Sequence, residues 1–398
     1  MTQEQKFVLQ VLSNAFFDKP LLAPNDINWD SVLSESRDQA VFLTVYRTIR
    51  DLLPVEVMNS WDPLFYKCTA RNIRVFHAHT HIHEILSQNK IPYIIMKGCA
   101  SAKYYSRPDD RVMGDVDFLV EKRDVERCST ILEKGGMKRC DNGLHGFHRS
   151  YCLAGMIYEL HWSPPGIPTE GNEKIQKYLN NVIESRELFC DNNVNCYVPD
   201  DYNHAIIVLL HNAAHMTTTG IGLRHLCDWT LLVNSLSEEK TEKLLHVFND
   251  IGLLTYAKVL TALGIVYLGA PHKSWTDIDN CILIEELMED IMKSGNFGNK
   301  ETTRQNQGAF IRDVKTRKIS RQSIIGALFS TINWKAKGMY PSLTKHFFTV
   351  PIAWPLVCCY YLFQVVLKKR PGFGIRDTIS INKRKELYGQ LNLLAHLQ

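Results

Sequence analysis

The stretch "YIIMKGCASAKYYSRPDDRVMGDVDFLV", residues 93–120, holds the residue types best suited to chemistry. It closes on an apolar, strand-like run that contains two carboxylates, Asp115 and Asp117. Side chains alternate faces along a strand, so these two point the same way while Val116, Phe118 and Val120 point the other. Two carboxylates on one face repel each other unless positive charge sits between them. A divalent cation is the natural counter-charge, and Mg²⁺ prefers one or two carboxylates completed by water and phosphate oxygens. The spacing alone is weak, because Asp277-Ile-Asp279 repeats it. That copy follows no strand and reads as a helix start, where acidic residues complement the dipole.

The context of the first pair is richer. Lys97-Gly98 ends the preceding apolar run. Glycine permits a tight turn, and the N–H groups of a following helix start can meet phosphate oxygens. Ser101 and the Lys97 ammonium would add to that cradle, with Lys97 expected at the phosphate turn and not beside the paired carboxylates, in a cleft that it shares with Asp115, Asp117 and Glu159. Arg107 and Arg111 lie just before the acidic strand, where a polyphosphate needs charge. Downstream, "GMIYELHW" puts Ile157, Glu159 and His161 on one strand face. Glu159 is thereby a candidate third metal ligand or base. His145 and His148 flank the same hairpin.

These residues require a small α/β core. Residues 1–88 carry apolar side chains at three- and four-residue spacing and read as helical. The core is expected over 89–199, as a strand at 91–96, a short helix from Ala100 to Tyr105, and a strand from Asp115 to Val120. A helix stopped by Gly135-Gly136 follows, then a hairpin around Ala154-Gly155. A helical domain spans 200–295, with segments at 201–218, 222–235, 238–251, 253–268 and 282–294. Residues 296–398 form a polar linker and a C-terminal helical, basic tail. The fold class is α+β, a mixed sheet flanked by helical regions.

On these helices His211 and His215 share a face, as do Arg224 and Asp228. With His161 they lie over the core within reach of the nucleotide or acceptor, or they form an interhelical network. His77, His79, His81 and His83 split between two sides of one helix and do not read as a metal site. Residues 347–367 are apolar but interrupted by Pro351 and Pro355, which leaves twelve residues, 356–367, for unbroken helix. That is too short to span a bilayer. The favoured reading is a helix buried on the helical domain, and the other is peripheral membrane contact through 347–370, aided by Lys368, Lys369 and Arg370.

The net charge of +4 and the absence of a basic-aromatic stripe argue against a nucleic-acid partner. Eleven scattered cysteines with no C-x-x-C pair argue against a disulfide framework and fit a reducing cytoplasmic setting. The N-terminal residues show no signal-peptide pattern.

In "IPYIIMKG", "YYSRPDDRVMGDVDFLV", "IYELHW", "LLHNAAHMTTTGIGLRHLCDWTLLV" and "MYPSL…VPIAWPL" the chain resembles the uncharacterised bacterial nucleotidyltransferases of the DNA polymerase β-like superfamily. The resemblance implies a transferase that moves a nucleotide from an NTP with two Mg²⁺ ions. It implies metal ligation by Asp115, Asp117 and Glu159, with Lys97, Gly98, Ser101, Arg107 and Arg111 on the nucleotide phosphates. The usual Gly-Gly or Gly-Ser of the superfamily's phosphate turn is here Lys97-Gly98-Cys99. The acceptor is not implied. A small molecule or sugar fits the modest charge best, and the other readings are a toxin-like transferase acting on tRNA or protein, and a non-catalytic nucleotide-binding scaffold.

Overall fold

A computed structural model describes the chain except residues 142–146, 168–172, 192–193, 277–280, 302, 305–306, 308–310, 312–323, 341, 368–374 and 394–398. Asp277-Ile-Asp279, His145 and the Lys368–Arg370 cluster therefore lie outside the described residues. The chain opens with helices α1 (Gln3–Phe17), α2 (Trp29–Asp38), α3 (Phe42–Ile49) and the long α4 (Val55–Gln88). Local sequence sets their starts. Thr2 caps α1 in a reciprocal capping box with Gln5, and Asn28 accepts from the Ser31 N–H to cap α2.

The core follows. It comprises β1 (Tyr93–Ile95), the single-turn α5 (Cys99–Ala102), β2 (Val116–Val120), α6 (Val125–Lys134), β3 (Lys138–Arg139), β4 (His148–Leu153) and β5 (Met156–His161). The five strands lie in the order β1-β2-β5-β4-β3, and only β2 and β5 run parallel. The β4–β5 turn places both Ala154 and Gly155 at positive φ, the geometry that matches hairpin twist. Val116, Phe118 and Val120 are fully covered and pack with Tyr93, Ile95 and Leu160 under the sheet. The expected helix, strand and hairpin boundaries here hold to within a few residues.

Helix α7 (Glu173–Leu179) and a two-stranded sheet of β6 (Glu187–Asp191) and β7 (Val194–Val198) complete this region. Sequence reading assigned none of the three. Only five residues of β7 alternate, and its Asn195 is a weak strand former. Helices α8 (Asp201–Thr217), α9 (Leu223–Ser235), α10 (Glu238–Asp250), α11 (Leu254–Leu268) and α12 (Cys281–Ser294) match the five expected segments within one residue at each end, and join α1–α3 in one large apolar core.

The C-terminal elements are α13 (Ile324–Met339), α14 (Val350–Val366) and α15 (Ile375–Gln390). Two expectations are corrected. Helix α14 runs straight through Pro355, and Pro351 occupies the first turn, where its missing N–H costs nothing. Nor is α14 buried: only Val350, Ala353 and Val357 are covered. Among the described residues, no helix is long and apolar enough to cross a membrane. Cys140 and Cys152 form a disulfide across the β3–β4 edge, their Cα atoms 6.1 Å apart. The expectation of a chain without disulfide cross-links is therefore corrected at this one pair.

Two buried histidines hold the core to its helices. His79 of α4 lies beneath Gly98, and His204 of α8 stacks on Tyr104 with ring centroids 5.5 Å apart. Burial pushes the pKa of His79 down to about 4 and that of His204 to about 3, the latter helped by Lys103 and Arg111. The unfolded chain binds these protons near pH 6.5 and the folded chain does not. Their stabilising effect is therefore complete above pH 6.5 and is lost as pH falls from there towards 4 and 3. Each costs on the order of 1.4 kcal/mol per pH unit in that window. Urea midpoints measured from pH 7 to pH 5 should fall, and His204→Gln should flatten the slope by about one proton.

Gly98 has φ +58°, and a Cβ there would meet His79 Nε2 at 2.5 Å. Gly98→Ala should destabilise by about 2–4 kcal/mol through backbone strain and overpacking. Adding His79→Ala should recover the packing part only, a coupling that a double-mutant cycle would read.

Candidate active site

The parallel β2–β5 register sets Asp117 directly opposite Glu159, with His161 two residues further along the same strand face. Asp115 sits one residue before β2, exposed at the rim, while Asp117 is 2% exposed. Ligand oxygens of Asp115, Asp117 and Glu159 lie within 4.8 Å of one another. His148, Glu159 and His161 form a second such group, so Glu159 belongs to both. The run on α4 contributes to neither: His77 is exposed, His79 is buried, and His83 Nδ1 hydrogen-bonds Tyr93 at 2.9 Å.

Lys97 Nζ lies 3.0 Å from Asp117 Oδ1. Lys97 thus shares the cleft of the carboxylates, as expected, and only the expectation that it stands apart from them at the phosphate turn is corrected. It leaves β1 immediately after Met96, whose N–H donates to the Asp117 carbonyl at 3.0 Å, and this pairing carries the ammonium over β2. His161 Nε2 lies 3.2 Å from both Asp117 Oδ1 and Glu159 Oε2. Two carboxylate acceptors at one nitrogen require that it carry the proton.

The charges explain the titration of the group. Burial works to raise the Asp117 carboxyl, but Lys97 and His161 outweigh it and hold it well below the usual carboxylate range. Burial opposes the imidazolium of His161, yet hydrogen bonds to Asp117 and Glu159 raise it. Asp115 is pushed up, chiefly by the negative charge of Asp117, with Lys97 opposing. Lys97 and His161 thus relieve Asp117 but leave Asp115 repelled. Three converging carboxylate oxygens with residual repulsion suit a hard divalent ion completed by water.

The phosphate cradle expected around Gly98 is small. Helix α5 is one turn long, and the Ala100 N–H already donates to the Lys97 carbonyl at 3.1 Å. Ser101 is buried on α5 and lines a small pocket behind Lys97. The two arginines differ: Arg111 lines the same pocket as Lys97 and Ser101, and Arg107 does not. Arg111 is 5% exposed and grips Asp228 with two bonds of 2.8 and 2.7 Å. Tyr105 Oη donates to the same carboxylate at 2.9 Å. Arg107 is largely exposed, 4.0 Å from Asp109, and lines a different cleft with Arg47 and Asp110.

Helices α8 and α9 close the pocket behind Lys97 with His211, Asn212, Arg224 and His225. The His211 and His215 rings meet edge to face, 4.3 Å between centroids. His225 joins them at 6.1 and 5.9 Å, a residue that sequence reading missed because it lies on the next helix and off the i, i+4 face. Burial first, then Lys97 and Arg224, keep His211 and His215 neutral, the latter lowered to about 3; for His225, Arg224 follows burial. Arg224 donates to the Val112 carbonyl at 3.1 Å and lies over the Phe297 ring at 5.0 Å. The side-chain nitrogen of Asn212, Nδ1 of His211 and Nε of Arg224 are buried without partners. Such groups are costly unless something meets them, and they line a pocket that touches the carboxylate site.

A comparison with solved structures found the crystal structure of an antigenic nucleotidyltransferase-like protein from Paracoccidioides brasiliensis. It is 15% identical, covers 50% of this chain and 93% of that one, and has a TM-score of 0.29. No curated protein matches. The model of a family described as uncharacterised nucleotidyltransferases matches residues 25–263, which takes in α2 to most of α11 and the whole carboxylate site. The chain belongs to that nucleotidyltransferase family.

Proposed function

We infer that the protein is an enzyme that transfers NMP from an NTP to a small-molecule or sugar-like acceptor, with Asp115, Asp117 and Glu159 as ligands for Mg²⁺. The observation that carries this reading is the convergence of the three carboxylates, in register across β2 and β5, beside Lys97. Bound there, two Mg²⁺ ions would supply nucleophile activation and charge neutralisation at the transferring phosphoryl group. Asp117 and Glu159 hold their oxygens on adjacent strands of a rigid sheet, which fixes donor spacing before substrate arrives. Lys97 alternates between two partners, Asp117 when the site is empty and phosphate oxygens when an NTP is bound. His161 holds both carboxylates in place through one N–H. The acceptor oxygen bonds to the α-phosphorus as pyrophosphate leaves, and its proton passes to a carboxylate or to solvent.

Asp117→Asn should lower Mg²⁺-dependent NTP turnover by at least about 10²–10³-fold. Pyrophosphate release from each NTP would measure it, with Asp277→Asn as the control. Wild-type turnover by Asp117→Asn would remove the carboxylates from the chemistry.

Lys97→Met should move two affinities in opposite directions. Without the ammonium, Asp117 loses a competing cation, and Mn²⁺ should bind more tightly to the nucleotide-free protein. NTP binding should weaken by about tenfold, the loss of one charge-assisted contact. Calorimetry with Mn²⁺ alone and with each NTP separates the two, and parallel changes would take Lys97 off the phosphates.

A further inference from the structure

Helices α13 and α14 pack chiefly against each other, around a small cluster of Ala336, Ala353 and Val357 that is separate from the two large cores. The α14 sequence, VPIAWPLVCCYYLFQVV, is apolar on every side. A helix of that kind belongs in a protein core or in lipid. Yet Ile352, Leu362, Phe363 and Val366 are each more than half exposed, and Leu328 and Phe329 of α13 add to the uncovered apolar surface. Exposed apolar area on this scale marks an interaction site.

Charge says what would cover it. In the sequence, residues 314–376 contain eleven Lys and Arg and no Asp or Glu, and the structure places Lys335 and Lys337 on α13 and Lys345 between α13 and α14. Since the whole chain carries only +4, the remainder is net negative. A second copy of the chain would cover the apolar face but bring two strongly cationic segments together. A nucleic acid would meet the cations and leave the aliphatic face in water. An anionic bilayer surface answers both, with acyl chains for the one and headgroups for the other. The 17 residues of α14 extend about 25 Å, short of the roughly 30 Å hydrocarbon core, so the helix would lie along the surface.

We propose that the α13–α14 hairpin docks in the interfacial layer of an anionic lipid bilayer, with the exposed face of α14 among the acyl chains. This holds independently of the reaction assigned to the carboxylate site. The test is flotation of the full chain with vesicles of phosphatidylcholine alone, and of phosphatidylcholine mixed with phosphatidylglycerol. The protein should float with the mixed vesicles, at least about tenfold more weakly with the neutral ones, and progressively less as salt rises. Phe363→Glu with Val366→Glu alters two exposed positions, so melting followed by circular dichroism should not change. Flotation by that variant should fall by about tenfold or more. The proposal is overturned if the wild type fails to float with anionic vesicles, or if the variant floats as well as wild type. It is also overturned if lipid binding is absent and the apolar face instead supports a dimer that the variant dissociates. Retention on RNA without lipid binding would overturn it equally.

Discussion

A carboxylate taken out of water needs positive charge within reach, and Asp117 is almost wholly out of water. The core around it is arranged to meet that need. Pairing of Met96 with Asp117 extends the β1–β2 ladder by one residue and delivers Lys97 to the carboxylate. The parallel partner β5 delivers His161 from the other side, and with it Glu159. Without Val116 and Phe118 anchoring the opposite face, the strand could slip its register, and a slip of one residue would turn Asp117 into the apolar layer. Packing below the sheet and charge above it therefore specify the same register.

The same logic extends into the helices. Arg111 precedes the acidic strand, yet its partner Asp228 is on α9. The pair, with Tyr105 as a third member, ties the helical roof to the core at a buried point. Arg224 donates to a backbone carbonyl and lies over an aromatic ring, so its charge is answered less directly than that of Arg111. That charge adds to burial in keeping His211, His215 and His225 uncharged. The neutral rings of His211 and His225 therefore line the pocket beside Lys97 and Arg111, whose charges are answered by Asp117 and Asp228.

Much of this was legible in the sequence because it depends on local periodicity. The alternation of β2 and β5 gave the faces of Asp115, Asp117 and Glu159, and the 3.6-residue repeats gave α8 to α12 nearly to the residue. What was not legible depends on which elements meet. Arg107 and Arg111 look equivalent in "SRPDDR", but one lies at the surface and the other is locked to a residue more than a hundred positions away. A cleft shared by Lys97 and the aspartates was legible, but the direct Lys97–Asp117 ion pair comes from strand order, which no single segment encodes. His225 belongs with His211 and His215 only after α8 and α9 fold back on each other. The α14 prolines were read as breaks, although Pro351 sits where a helix tolerates it and Pro355 does not stop the helix.

Net charge misled in a related way. A value of +4 invites the view that the surface is electrically bland. It is instead the sum of a cationic, acid-free segment and a net-negative remainder that includes the carboxylate site. Fields decay within a Debye length, so a partner meeting α13 and α14 responds to that segment and not to the average. The apolar character of α14 then discriminates among anionic partners, because only one that offers both charge and hydrocarbon matches the whole surface.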